Sequence, residues 1–137
     1  MKKRFKRDLA SLNSVFEFIT DFTTQYHLDK ITTNSLSIAV EEIFTNLIKY
    51  NRKSTADIGI DISLNENELI ITFTDFNGQP FDIRQVETYD IKQPLEKRPI
   101  GKVGMHLVKV LMDDIHCEFD DKHSKIILMK KLKESHV

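Results

Sequence analysis

The chain has 137 residues, about a third of them Leu, Ile, Val or Phe, which suffices for one continuous core and excludes a disordered chain. Its 20 Lys and Arg against 21 Asp and Glu leave a net charge of -1, so nothing in the overall charge favours nucleic acid or an anionic membrane as a partner. The single cysteine, Cys117, excludes an internal disulfide and a zinc site built from several cysteines. No apolar run approaches the length of a signal sequence or a membrane span, so we expect a cytoplasmic protein.

The apolar pattern changes between the period of a helix and that of a strand along the chain. In chain order it first predicts a strand over Arg4–Leu9 and two helices, one over Leu12–Tyr26 and one from Thr32 or Thr33 to about Asn51. A hairpin of strands 58–62 and 69–73 follows. The last elements are a helix over 103–112 and a closing hairpin of strands 115–119 and 125–132 around residues 120–122. Five of the first seven residues are basic, which is typical of charge protecting an exposed edge strand. We therefore predict an α+β fold, a two-layer sandwich of a mixed, mostly antiparallel sheet with three main helices on one face.

The chain-breaking residues are concentrated in one part of the sequence. Of four Gly and three Pro, all except Gly59 lie between residues 78 and 104. The segment 83–100 is polar, contains two prolines and shows no sustained period, and loops of this length in compact domains are usually functional or disordered. We predict a single domain over residues 1–137 with a lid at about 83–100, and a tolerated surface insertion remains the alternative.

The second predicted helix has two unlike faces. Its apolar arc contains Leu36, Val40, Ile43 and Leu47. Glu42 and Asn46 lie one turn apart on the opposite, polar arc. An amide oxygen suits Mg²⁺, and a carboxylate can orient or deprotonate an attacking nucleophile. The same pair also fits the solvent-exposed face of an ordinary amphipathic helix.

Two glycine-containing segments follow. Asp75–Asp82 ends a predicted strand with an Asn77-Gly78 turn, where the carboxylate can accept a hydrogen bond from an exocyclic amine such as that of adenine. Gly101–Gly104 opens a predicted helix whose N–H groups can bind an anion, and Lys102 and Arg98 add positive charge that suits a polyphosphate. A simple turn and a simple helix cap are the alternatives.

The order of three segments, Glu42–Asn46, Asp75–Asp82 and Gly101–Gly104, resembles the N box and the two glycine boxes of the GHKL (Bergerat) ATP-binding fold. Two sequence motifs are similar to those of the bacterial anti-sigma factor/serine-kinase (RsbW-like) family: Gly-Gln-Pro-Phe-Asp at 78–82 and Arg-Pro-Ile-Gly-Lys-Val-Gly-Met-His-Leu-Val at 98–108. The resemblance covers most of the chain.

This resemblance implies roles for individual residues. Glu42 would be the catalytic base and Asn46 the Mg²⁺ ligand, and Asp75 with Gly78 would contact adenine. The implied ATP-binding set is Asn46, Lys49, Asp75, Gly78, Phe81, Arg98, Gly101, Lys102, Val103, Gly104 and Met105. The implied partners are a sigma factor and a serine-bearing anti-sigma-factor antagonist protein, with homodimers usual and no direct contact with nucleic acid.

Two functions follow. The first is an ATP-dependent serine/threonine protein kinase that also acts as an anti-sigma factor in a partner-switching system. The second is a degenerate GHKL module that binds protein partners without ATP turnover. The presence of Glu42 and Asn46 favours the kinase. The family's first glycine box has Asp two positions before the glycine, where this chain has Phe76, and Lys102 replaces a usual glycine; both departures favour the module.

Overall fold

The computed structural model describes residues 1–50, 54–76, 102–119 and 123–133. Five strands and three α-helices lie in these ranges: β1 (Lys2–Phe5), α1 (Leu12–Gln25), α2 (Lys30–Tyr50), β2 (Ile58–Asn65), β3 (Glu68–Asp75), α3 (Lys102–Leu111), β4 (Asp114–Phe119) and β5 (Ser124–Lys131). The predicted α+β class is confirmed, and both predicted hairpins form, as β2–β3 and β4–β5. The turn at 120–122 and the predicted lid at 83–100 lie outside the described residues.

The strands form one sheet in the order β1-β2-β3-β5-β4, and all of its described pairings are antiparallel. Strict alternation in β2 and β3 buries every second side chain, which places Ile58, Ile60 and Ile62 on one face. The apolar sides of the three helices join that face in one hydrophobic cluster. The predicted apolar arc of α2 is fully part of it, since Leu36, Val40, Ile43 and Leu47 are all buried.

The opposite side of the sheet, here called the open face, is polar and basic. It consists of the outward residues of β1, β2, β3 and β5 and the residues next to them: Lys2, Arg4, Gly59, Asp61, Thr72, Thr74, Phe76, His123 and Lys125. The Phe76 ring lies here, with the Arg4 guanidinium 3.8 Å from its centroid and the His123 ring at 5.4 Å. Gly59 leaves room for that ring, because a Cβ at this position would lie 3.0 Å from it.

Two predicted boundaries were wrong. The first strand covers Lys2–Phe5 rather than Arg4–Leu9, so Arg7 lies beyond its end. The second helix begins at Lys30 because Asp29 caps it: its Oδ1 accepts the backbone N–H of Thr32 at 2.7 Å. Hydrogen bonds from the side chain and backbone of Thr32 also lower the pKa of Asp29. The two threonines that were predicted to begin the helix therefore lie inside its first turn.

None of the helices in the described ranges combines the length and the apolar character that a membrane span requires.

Candidate functional site

A cavity of about 650 Å³ lies beside the polar arc of α2, close to the connection that follows β1. Its walls are formed by Arg7, Leu9, Glu42, Thr45, Asn46, Ile48, Lys49 and Ser54. The sequence predicted three of these residues as site residues, Glu42, Asn46 and Lys49, and the fold brings all three to one cavity. Their common position follows from helix geometry, since the spacings of four and three residues keep them on one side of α2.

Asn46 is only 4% exposed, because α3 covers this part of α2. Its Nδ2 donates a hydrogen bond to the Sδ of Met105 at 2.8 Å. That contact assigns the nitrogen to the α3 side and leaves Oδ1 as the atom for the cavity. Within the described residues Oδ1 accepts no hydrogen bond. A buried amide oxygen without a donor is costly, and such a group in a cavity wall is a ready ligand.

Glu42 lies one turn before Asn46 and is partly exposed at the cavity. Burial raises the pKa of Glu42, the neighbouring Glu41 raises it further, and Lys49 lowers it. A carboxylate with a raised pKa is a stronger base than an ordinary one. Glu42 therefore has the chemistry of a proton acceptor at this cavity.

Arg7 also lines the cavity, and its side chain is only 2% exposed. It forms a salt bridge with Asp75, whose side chain is 3% exposed. Asp75 is the last residue of β3, and the alternation of that strand turns it toward the helices. The following residue, Phe76, belongs to the open face, so Asp75 and not Phe76 lies on the helix side of the sheet.

The donor set fits a magnesium ion held together with phosphates. In the described part of the chain, no group of three or more His, Cys, Asp and Glu is placed to hold a metal. A single amide oxygen is enough for Mg²⁺, because this ion usually keeps several waters and takes further oxygens from substrate phosphates. The Oδ1 of Asn46, which accepts no hydrogen bond from the described residues, has the chemistry of such a ligand.

Comparison with known proteins identifies the family of this domain. A profile of the histidine kinase-like ATPase domain matches residues 5–131. The chain belongs to that family. It is also similar to the serine-protein kinases RsbW of Bacillus thuringiensis strain Al Hakam and Bacillus cereus strain 03BB102, with 37% identity over 101 residues that cover 70% of this chain and 61% of each relative. With the RsbW of Listeria monocytogenes the identity is 32% over 108 residues, 74% of this chain and 68% of that protein.

These matches confirm the predicted RsbW-like branch of the histidine kinase-like family. The chain spans about three fifths of the length of the Bacillus relatives that it matches. The matched range contains Glu42, Asn46, Asp75 and the start of α3, which are the parts that carried the resemblance.

Some predicted site residues lie outside the described residues: Gly78, Phe81, Arg98 and Gly101. The helix predicted to open at the second glycine motif does begin there, at Lys102, and includes Val103 and Gly104. Met105, also predicted, is buried and contacts Asn46. The roles implied for all these residues remain predictions.

Arg7 is the site residue that the sequence analysis missed. It was grouped with Lys2, Lys3, Arg4 and Lys6 as edge protection, and for Arg7 that interpretation was wrong, because its side chain is buried. The available signal was its position. Arg7 directly precedes Asp8, whose Oδ1 accepts the N–H of Ala10 and caps the short 3₁₀ turn Leu9–Ser11, so the strand must end before it.

Proposed function

We propose that this domain binds ATP together with Mg²⁺ and transfers the terminal phosphoryl group to a serine of a protein substrate. The observation that carries the proposal is the buried Asn46: its Oδ1 accepts no hydrogen bond from any described residue, and Asn46 lines a cavity together with Glu42. The name of the similar proteins, serine-protein kinase, agrees with this chemistry.

The residues divide the work as follows. Asn46 would hold the metal through Oδ1, while Met105 fixes the orientation of the amide. Glu42 takes the proton that the serine hydroxyl loses as its oxygen attacks, and its raised pKa suits that role. The metal held by Asn46 would supply positive charge that neutralises the phosphates. The N-terminal end of α3, which begins at Lys102, offers backbone N–H groups to the phosphates.

The partners belong to the same proposal. A serine-bearing anti-sigma-factor antagonist would be the phosphoryl acceptor, and a sigma factor would be the protein held in the alternative complex. A homodimer is the proposed assembly, and direct binding of nucleic acid is not part of the proposal.

A second candidate function is a partner-binding module without nucleotide turnover. One observation favours it: the Asp75 carboxylate, implied to contact adenine, is already paired with the buried Arg7. In this alternative the Arg7–Asp75 ion pair would occupy the place of the adenine ring, and Glu42 would have no substrate to deprotonate.

Calorimetric titration of the full chain with a non-hydrolysable ATP analogue, with and without Mg²⁺, tests the first function. We expect saturable binding of one nucleotide per chain, with an affinity that rises when Mg²⁺ is present. Absence of binding in both conditions would overturn the ATP proposal and leave the partner-binding module.

A further inference from the structure

Arg7 connects three parts of the fold through one guanidinium group. Its Nε donates to the carbonyl of Ala56 at 3.1 Å, and its Nη1 donates to the carbonyl of Leu47 at 2.9 Å. Its Nη2 donates to Oδ1 of Asp75. These acceptors belong to the segment before β2, the last turn of α2 and the end of β3. A single side chain therefore sets the positions of three elements around one end of the cavity.

Each of these contacts has a physical reason. Leu47 is among the last four residues of α2, whose carbonyls have no partner within the helix, and a cation is favourable at that end. A buried guanidinium stays charged and requires a counter-ion, which Asp75 supplies. Asp75 is thereby held in one orientation as a hydrogen-bond acceptor.

These contacts do not use all the hydrogen-bond donors of the Arg7 guanidinium. It has five N–H donors, and three of them are used in the bonds above. The other two find no acceptor among the described residues, and Arg7 itself lines the cavity. Arg7, which lines the cavity, therefore combines N–H groups that no described residue accepts with a hydrogen bond to the Asp75 carboxylate.

We propose that Arg7 determines base specificity: it positions Asp75 to accept the 6-amino group of adenine and donates one of its own remaining N–H groups to a ring nitrogen beside that group. The proposal rests on the ATP-binding function proposed above. It adds a residue from the N-terminal connection to the nucleotide site.

The chemistry of the base decides the specificity. Adenine carries an amino donor next to a ring-nitrogen acceptor, which complements a carboxylate next to a guanidinium. A 6-oxo purine places an acceptor where adenine has its donor, so its oxygen would face the carboxylate oxygen. Sites that hydrogen-bond a polar group reject analogues without it, because a buried partner is left unpaired.

The test compares ADP with inosine diphosphate, which differs from it in the amino group at position 6 and the ring proton that accompanies the oxo group. Both are titrated calorimetrically with Mg²⁺ into the wild-type chain and into Arg7→Lys and Arg7→Met. We expect the wild type to prefer ADP by at least about tenfold. Both variants should lose most of this preference, because neither lysine nor methionine can hold Asp75 and the two carbonyls together.

Arg4→Met is the matched control, because it removes an arginine three residues earlier that lies on the open face. It should keep the wild-type preference. The ratio of the two affinities separates the proposal from a purely structural role, since a general loss of stability weakens both nucleotides alike. Arg7→Lys retains the charge and keeps the test valid where Arg7→Met fails to fold.

The outcomes are distinguishable. An unchanged preference in the Arg7 variants, or no preference in the wild type, would overturn the role of Arg7 while ATP binding stands. Tighter ADP binding by Arg7→Met would also overturn it and would identify the ion pair as a block to the base. If the wild type binds neither nucleotide, the proposed function itself fails and this inference fails with it.

Discussion

Arg4 and Arg7 lie three residues apart in one basic segment, yet they end on opposite sides of the sheet. Arg4 is on the open face, where it contacts the Phe76 ring and pairs with Asp57 at 3.5 Å, and the two side chains are 60% and 41% exposed. Arg7 is on the helix side and pairs with Asp75 in an almost fully buried contact. Removal of one partner should cost little in the first environment and much in the second, because water solvates the exposed charge that remains but not the buried one.

The same contrast separates Asp75 from Phe76. They are adjacent in the chain, but the alternation at the end of β3 turns the carboxylate toward the helices and the ring toward the open face. Glu42 and Asn46, proposed for catalysis and metal binding, are on the helix side as well. The comparison teaches that the proposed function uses described polar groups that folding removes from bulk water.

The largest effect is expected for Glu42→Gln, which tests whether the helix side carries catalysis. The substitution keeps the shape and removes the base, so the phosphoryl transfer rate should fall about 10²- to 10⁴-fold while binding of the ATP analogue persists. Transfer of radioactive phosphate to a serine-bearing antagonist measures the rate. Glu41→Gln is the control, because Glu41 is exposed and does not line the cavity. A normal rate in Glu42→Gln would remove this residue from the role of base.

The next largest effect is expected for Asp75→Ala. It leaves the buried Arg7 charge without its partner, and we expect the free energy of unfolding to fall by about 3–5 kcal/mol in urea denaturation. Asp57→Ala removes the partner of Arg4 on the open face and should cost less than about 1 kcal/mol. Equal losses in the two variants would contradict the difference between the two environments.

Asn46→Ala should weaken nucleotide binding in the presence of Mg²⁺ by at least about tenfold, since the loss of an outer partner of a metal ligand already costs about 10- to 100-fold. The measurement is the ratio of affinities with and without Mg²⁺. The free energy of unfolding should change little, because the cost of the lost buried volume is offset by removal of a buried oxygen that accepts no hydrogen bond from the described residues. Asn34→Ala, at an exposed position of α2, is the control. An unchanged Mg²⁺ dependence in Asn46→Ala would exclude Asn46 as the ligand.

Arg4→Met tests the open face alone. The exposed salt bridge and the contact with Phe76 together should contribute no more than about 1 kcal/mol to stability. Urea denaturation measures it, and nucleotide binding should be unchanged. A loss above about 2 kcal/mol would show that the open face contributes more than its exposure predicts.

The smallest effect concerns the pH dependence of stability. Because burial raises the pKa of Glu42, the folded state binds this proton more readily than the unfolded state, and the contribution of this group to stability falls as pH rises through that pKa. Glu42→Gln removes the effect, so it should be slightly more stable than the wild type at neutral pH and lose that advantage in acid. Thermal unfolding at several pH values checks the direction, and a variant less stable than the wild type at neutral pH would contradict it.

The sequence predicted most of the fold and part of the site for identifiable reasons. The alternation of Ile58, Ile60 and Ile62 and the apolar arc of α2 are local patterns, and local patterns survive folding when each also faces the common core. Glu42 and Asn46 were predicted together because helical spacing places them side by side. The start of α2 was misplaced because Asp29 is a better cap than either threonine, which only the hydrogen bond to Thr32 reveals.

Burial of polar groups could not be predicted in the same way. Asn46 lies off the apolar arc of α2, so its sequence position indicates a wet face, whereas α3 covers it and presents Met105 to its amide. Asp75 forms its salt bridge with Arg7, which is 68 residues away in the chain. Neither contact has a local signal.

By itself, the sequence determined the α+β class, the family and the identity of the helical pair Glu42 and Asn46, because these depend on periodicity and on motifs a few residues long. Only the tertiary structure decided which arginine is buried, which side of the sheet Asp75 faces and which atom of Asn46 contacts α3. These are contacts between distant elements, and their strength depends on the exclusion of water, which no single segment of the chain can bring about alone.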